Sequence, residues 1–319
     1  MAIEGSIKNL QLKKHSDSFG IRLHKDLRKN YDAYLLILPA LLFYILFCYK
    51  TMAGAVIAFK DYIPAKGIWG SPWAGLKHFE AFFGSYYFQR LLRNTVVISL
   101  VSLAIGFPAP IVFALLLNEV RNLKFKRTVQ TITYMPHFIS LVVVCSLIRI
   151  FTMDTGVIVQ LLALFGFEPV SLLTKSRYFV PVYVLSDIWQ HIGWGSILYL
   201  SALSSIDPTH YEAAVIDGAG RWKQTLHVTL PGISSTIIIM FILRAGSIMN
   251  VGFEKIILLY NEGIYETSDV ISTFVYRKGL EQFQWSYSGA VGLFNSIINF
   301  IIVVIVNKIS RRVSETSLW

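Results

Sequence analysis

Apolar residues along this chain come in long runs, not in the spaced stripes of a soluble amphipathic helix or the alternation of a half-buried strand. Six runs, over residues 33–58, 94–117, 128–151, 179–203, 233–260 and 287–306, reach the roughly 20 residues that a helix needs to cross a bilayer core. They are too long and continuous for barrel strands. Only helices and closed barrels satisfy the backbone inside lipid, so the pattern predicts an all-α polytopic membrane protein with six transmembrane helices. It divides the chain into an arm at 1–32, a six-span domain at 33–307 with long loops at 60–93 and 204–232, and a tail at 308–319.

Composition agrees with the pattern. Of the 319 residues, 54% are hydrophobic and 15% charged, against roughly 25% charged in a soluble domain. This makes a soluble enzyme, a disordered chain or, with two Cys, a disulfide scaffold improbable. Cys48 and Cys145 fall inside runs one and three and read as packing residues. The net charge of +10 reads as a question of sidedness before one of nucleic acid. With the N-terminus inside, the inner segments carry 16 Lys and Arg and the longer outer segments 11. Both termini are therefore placed in the cytoplasm. The polar start, with Lys8, Lys13, Lys14, Arg22, Lys25, Arg28 and Lys29, is too long for a secretory signal and reads as a cytoplasmic arm, with residues 20–30 as a candidate surface helix.

The outer loop 60–93 is rich in aromatics, Trp69, Trp73, Phe79, Phe82, Phe83 and Tyr86 among them. Some are interface-belt residues; the rest suit a soluble partner outside the membrane. The inner loop 204–232 is polar and punctuated. Asp207 and Pro208 are N-cap and N1 of a short helix. Gly218 and Gly220 end it in a sharp turn. A second amphipathic helix follows from about Arg221 to Thr229, with Trp222, Leu226 and Thr229 on one face, and Pro231 opens span five.

Here the chain resembles the permease subunits of type I binding-protein-dependent ABC importers. Their inner-loop signature is Glu-Ala-Ala, three residues, Gly, nine residues, Ile, one residue, Leu-Pro. This chain has Glu212-Ala213-Ala214, Gly218, then Val228, Thr229 and Leu230-Pro231, departing only by Val for Ile. The resemblance implies the permease fold and a coupling helix seated on a separate ATPase, with Glu212, Ala213, Ala214, Asp217, Gly218, Arg221, Leu230 and Pro231 forming the joint. ATP and Mg would bind that partner, because no Gly here is followed by the Lys of a P-loop. The implied partners are a second related permease, two ATP-binding subunits and an extracytoplasmic solute-binding protein, and the implied site is the bacterial inner membrane. No metal site and no nucleic acid are implied.

The stretch from Phe59 through Lys60, Asp61, Tyr62 and Trp73 to Phe79, followed by Tyr87-Phe88, Arg90 and Asn94-Thr95, is similar to the carbohydrate branch of that family. Its likeness is greatest to importers of oligo- and polysaccharides, whose members include importers of the uronate chain alginate. A saccharide path needs polar and aromatic groups inside the spans, where ionisable residues are costly and functional by default. The candidates are Asp187, Trp189, His191, Trp194, Arg244, Asn250, Glu254 and Asn295, with Lys255 and Arg149 nearby. Asp187 and Arg244 could equally pair structurally, and the aromatics could simply pack. Residues 106–110 and Pro136 mark kinks. A secondary transporter or channel is the rival reading, but the halves show no convincing repeat. A membrane enzyme could offer only the His191–Asp187 pair, four apart on a helix.

Overall fold

The computed structural model describes residues 26–313. Among them every regular element is helical, and the one β contact is an isolated bridge between Lys60 and Trp73. The arm up to residue 25 and the last six residues of the tail, with the expectations placed on them, lie outside the described residues. The chain divides into two units, one ending at Val56 and one starting at Ile57. The first carries α1 (Tyr31–Phe43), which passes Pro39 and runs into a π turn at Tyr44–Tyr49.

In the second unit, α2 (Tyr86–Val101) and α3 (Pro108–Glu119) are joined by a π turn over Ser102–Gly106. Pro108 and Pro110 have no N–H, so a straight hydrogen-bond ladder cannot cross them, and the wide turn absorbs the mismatch where the sequence places a kink. Asn122 caps α4 (Leu123–Tyr134), its Oδ1 accepting from the backbone of Lys124 at 3.0 Å and Phe125 at 3.1 Å. Pro136 then ends that helix in a 3₁₀ turn, and α5 (Leu141–Thr152) starts afresh. The third apolar run is thus two helices, not one. The fifth is broken as well: α8 (Ser234–Ala245) stops, seven irregular residues follow, and α9 (Phe253–Leu259) resumes. Between runs three and five lie α6 (Ser176–Ser204) and α7 (Pro208–Ile216), and the last helix is α10 (Trp285–Val313).

By length and apolar content, Tyr31–Phe59, Tyr86–Glu119, Leu141–Leu164 and Trp285–Arg312 can each cross a membrane. Arg221–Gly232 with Ser234–Ala245, bent by 61°, makes a fifth. The fourth expected span, α6, has the length at 29 residues but holds Asp187, Gln190 and His191 at its middle.

Between helices in lipid there is little hydrophobic drive, so close packing and internal hydrogen bonds must hold the bundle. α6 supplies the first. A side chain on Gly193 would run into the Thr133 backbone of α4, and one on Gly195 would meet Pro110 of α3 at 3.1 Å. At its C-terminal end Tyr199 and Leu203 bury against Ile111, Ala114 and Ile233. Beside the start of α2 the buried Asp269 carboxylate gathers three donors: Arg277 Nη2 at 2.6 Å, Thr273 Oγ1 at 2.9 Å and Arg90 Nη2 at 3.3 Å. Asn94 Nδ2 donates to the carbonyls of Glu266 and Asp269, both at 2.9 Å. This clasp ties the start of α2 to the segment before α10. In the outer loop Phe82 is buried at 1% exposure, whereas Trp69 and Tyr86 stand out at 78% and 86%. The aromatic segment therefore divides between core and surface.

The Gly193 contact gives a direct check. Gly193→Ala must push α6 from α4, an overpacking cost of about 1–3 kcal/mol. Thermal unfolding of the detergent-solubilised protein should show a lowered Tm. Gly220→Ala, where an added Cβ meets nothing within 4 Å, should leave Tm unchanged.

Candidate functional site

The polar middle of α6 opens onto a cavity of about 430 Å³ whose walls come from α2, the Ser102–Gly106 turn, α3, α6 and α8 with the break after it. Tyr183, Asp187, His191, Arg244, Ser247 and Asn250 are among its lining residues. Asp187 is its centre. One Asp187 carboxylate oxygen lies 3.4 Å from Lys255 Nζ and 3.4 Å from His191 Nδ1, and the other lies 3.9 Å from Arg244 Nη2. The His191 Nδ1 is also 3.0 Å from the Asp187 carbonyl, the i to i+4 contact within one helix that the sequence suggests.

Local chain breaks set these positions. Arg244 sits in the last turn of α8, so its side chain leaves at the helix end. Lys255 sits in the first turns of α9, 3% exposed, with its ammonium 5.2 Å from the centre of the Tyr183 ring. The break at 246–252 therefore brings two cations from one apolar run onto one carboxylate of another. An unbroken helix would place Arg244 and Lys255, eleven residues apart, about 16 Å from each other along the axis. Lys255, which the sequence places near the path candidates, is buried directly behind Asp187. Arg149 of α5 holds the helix that follows the break, its Nε donating to the Leu258 carbonyl of α9 at 2.8 Å.

Asn295 belongs to a second layer. Its Nδ2 donates at 2.9 Å to Asn250 Oδ1, which also accepts from Asn299 at 3.2 Å. Asn299 in turn takes the Met249 N–H at 3.0 Å. These amides from α10 orient Asn250 toward the cavity and satisfy the backbone freed by the helix break. Three other candidates are not gathered here. Trp189 faces the opposite side of α6, into a separate apolar cavity of about 560 Å³ with Leu147, Phe151 and Leu185. Trp194 stacks on His137, ring centres 4.5 Å apart and 4° from parallel. Glu254 is exposed and makes no hydrogen bond or ion pair among the described residues. An aromatic platform built from Trp189 and Trp194 is therefore absent from this cavity, whose ring groups are Tyr183, Tyr199 and Phe107.

The inner loop has the expected form. Asp207 Oδ1 accepts from Thr209 N at 2.9 Å and caps α7, with Pro208 at N1. That backbone hydrogen bond holds the Asp207 carboxyl below the ordinary range. A lowered folded-state pKa means that the cap is intact at neutral pH and fails as the pH falls through that lowered value. Gly218 turns the chain at φ +73°, a left-handed conformation that only Gly adopts without cost. Gln224 Nε2 donates back to the Ala219 carbonyl at 2.7 Å. Tyr211 and Thr229 hydroxyls meet at 3.1 Å and lock the two short helices. Thr229 is buried, so it does not share a face with the exposed Trp222 and Leu226. Glu212, Ala213, Asp217, Gly218 and Pro231 are exposed, whereas Ala214 and Leu230 are half-buried. Glu212 has no hydrogen bond or ion pair among the described residues. Val215 and Ile216, at 61% and 85% exposure, add an apolar edge that the motif does not announce. Arg221 turns back on its own chain, its Nη1 3.0 Å from Glu119 at the end of α3.

Breaking the Asp187 centre has a specific consequence. Asp187→Asn strands the buried Lys255 ammonium and should cost about 3–5 kcal/mol, read as a lower Tm and yield. Lys255→Met in the same chain removes the stranded charge and should recover most of that loss.

Comparison with known proteins agrees with this geometry. Residues 106–315 match the family described as binding-protein-dependent transport system inner membrane component. Protein LplB of Bacillus subtilis (strain 168) is 44% identical over 301 residues, 94% of this chain and 95% of that protein. The polygalacturonan/rhamnogalacturonan transport system permease protein YteP of the same organism is 46% identical over 287 residues, 90% of this chain and 89% of that one. Among solved structures, a bacterial ABC transporter involved in the import of the acidic polysaccharide alginate has a chain 42% identical with a TM-score of 0.85, covering 92% of this chain and 99% of that one. A bacterial alginate ABC transporter in complex with an alginate pentasaccharide-bound periplasmic protein matches with a TM-score of 0.86 at 42% identity, over 93% of this chain and all of that one. The capped and Gly-hinged inner loop, the helix breaks around a polar cavity and these matches together place the chain in the binding-protein-dependent transport system inner membrane component family, as a membrane-embedded ABC permease subunit and not an enzyme.

Proposed function

We propose that this chain forms one half of the path by which an ATP-driven importer moves an oligo- or polysaccharide across the bacterial inner membrane. The observation that carries the reading is the Asp187–Arg244 pair, with Lys255 directly behind it, facing a cavity where three runs meet, two of them broken or kinked. Ionisable groups within spans mark substrate paths. Relatives whose own cargoes are polygalacturonan, rhamnogalacturonan and alginate support a saccharide of that kind. A periplasmic binding protein delivers it, as in the alginate complex, and the exposed Trp69 and Tyr86 of the outer loop suit that contact.

Energy enters through the inner loop. Glu212 supplies a free carboxylate, Ala213 permits close approach, and Val215 and Ile216 offer apolar area to a separate ATP-binding subunit that carries ATP and Mg. Asp217, Gly218, Leu230 and Pro231 shape the joint, and Arg221 braces it on Glu119. The six-span domain at 33–307, counting α6 and both broken runs, has both termini inside, and a second related permease completes the path. A secondary transporter leaves this exposed inner loop without a use.

Assembled with its partners, the protein should show cargo-stimulated ATP hydrolysis and uptake. Gly218→Pro, which cannot adopt the positive φ, should abolish coupling, and Glu212→Ala should lower it several-fold, with the assembly still intact by size-exclusion chromatography. Unchanged stimulation in both variants would contradict the coupling role.

A further inference from the structure

We infer that Arg244 reads the carboxylate of an acidic sugar, exchanging its contact with Asp187 for the cargo as the saccharide enters the cavity. The inference rests on the transport function proposed above and deepens it to a chemical class and a residue. Its basis is a surplus of positive charge. Among the described residues lining the cavity, Asp187 is the only carboxylate and Arg244 the only Lys or Arg. Lys255 stands directly behind, 3.4 Å from the same carboxylate. One fixed anion therefore faces two fixed cations, before any proton on His191 is counted. Water-poor surroundings make an unmatched charge costly, and a cargo carboxylate removes the mismatch.

The two cations are not equivalent. Lys255 is sealed at 3% exposure between Asp187 and the Tyr183 ring and has nowhere to go. The Arg244 side chain is half exposed and reaches Asp187 only at 3.9 Å, beyond hydrogen-bond range. No hydrogen bond from its guanidinium forms among the described residues; only its backbone carbonyl is used, by Ser247. Five N–H donors in a planar fork thus point into the cavity almost unspent, in the geometry that takes a carboxylate two-handed. The exchange conserves pairing. Asp187 keeps Lys255 and His191, Arg244 gains the uronate, and Asn250 and Tyr199 remain for hydroxyl groups. Asp187 is in this sense a resident stand-in that keeps Arg244 at the site while the path is empty.

The test uses the complete transporter assembly without its binding protein, so that cargo meets the permease alone. Calorimetric titration with tetragalacturonate and with its carboxyl-reduced, neutral counterpart gives the two affinities. Wild type should bind the acid more tightly. Arg244→Gln should weaken acid binding about tenfold or more and leave the neutral sugar unaffected; Arg244→Lys should keep part of the preference. Arg244→Gln leaves Asp187 paired with Lys255, so it should fold, and an unshifted Tm checks that. Unchanged acid affinity in Arg244→Gln would overturn the inference and leave the transport function standing. If wild type bound neither sugar and the complete importer took up neither, both would fall.

Discussion

A buried ammonium needs a counter-ion, and that requirement organises the centre of this protein. Lys255 is withdrawn from solvent to 3% exposure. Among the described residues only the Asp187 carboxylate matches it, so α6 must present a charged residue at its middle and α9 must begin where it does. Each later feature follows from that pairing. The break after α8 is needed to bring Lys255 round, the Asn250–Asn295–Asn299 set satisfies the opened backbone, and Arg149 ties down the carbonyl of Leu258 on the far side. The cavity is what remains between helices that cannot close over a cluster of charges.

The same run of chain links the cluster to the inner loop. Helix Arg221–Gly232 meets α8 at a 61° bend, where Ile233 is fully buried against Tyr199 and Leu203. α8 is 12 residues long, starts at that bend and ends on Arg244 and Ala245. One short helix thus connects the loop to the guanidinium that faces the cavity. The clasp around Asp269 ties α2 to the segment leading into α10.

How legible this was in the sequence differs by feature. Local signals were reliable: Asp207-Pro208 and Gly218 predict the cap and turn because the chemistry of those residues acts within four positions. The family motif was legible for the same reason, being one loop. Pro136 was legible as a kink in run three, but not the full stop and restart at Leu141, and the apolar content of run five does not record that residues 246–252 leave the helix. Asp187, His191, Arg244 and Asn250 could be named as costly intramembrane polar groups, and they do converge. Which neighbours joined them was not readable. Trp189 is two residues from Asp187 and so lies about 200° around the helix, on the other face, whereas Lys255 arrives only through a tertiary break. Asp269 passed unnoticed in a loop because its value lies in Arg90 and Arg277, distant in sequence or across a turn.

The central claim is that the cavity around Asp187 is the saccharide path. A single cysteine at Ser247, introduced after replacing Cys48 and Cys145, places a reporter on the cavity wall beside Arg244. Its rate of reaction with a membrane-impermeant thiol reagent, measured in the assembled transporter with and without saturating cargo, reads occupancy directly. The account requires labelling without cargo and strong protection with it. Equal labelling rates in the two conditions, in a transporter that still imports the same saccharide, would place the path elsewhere.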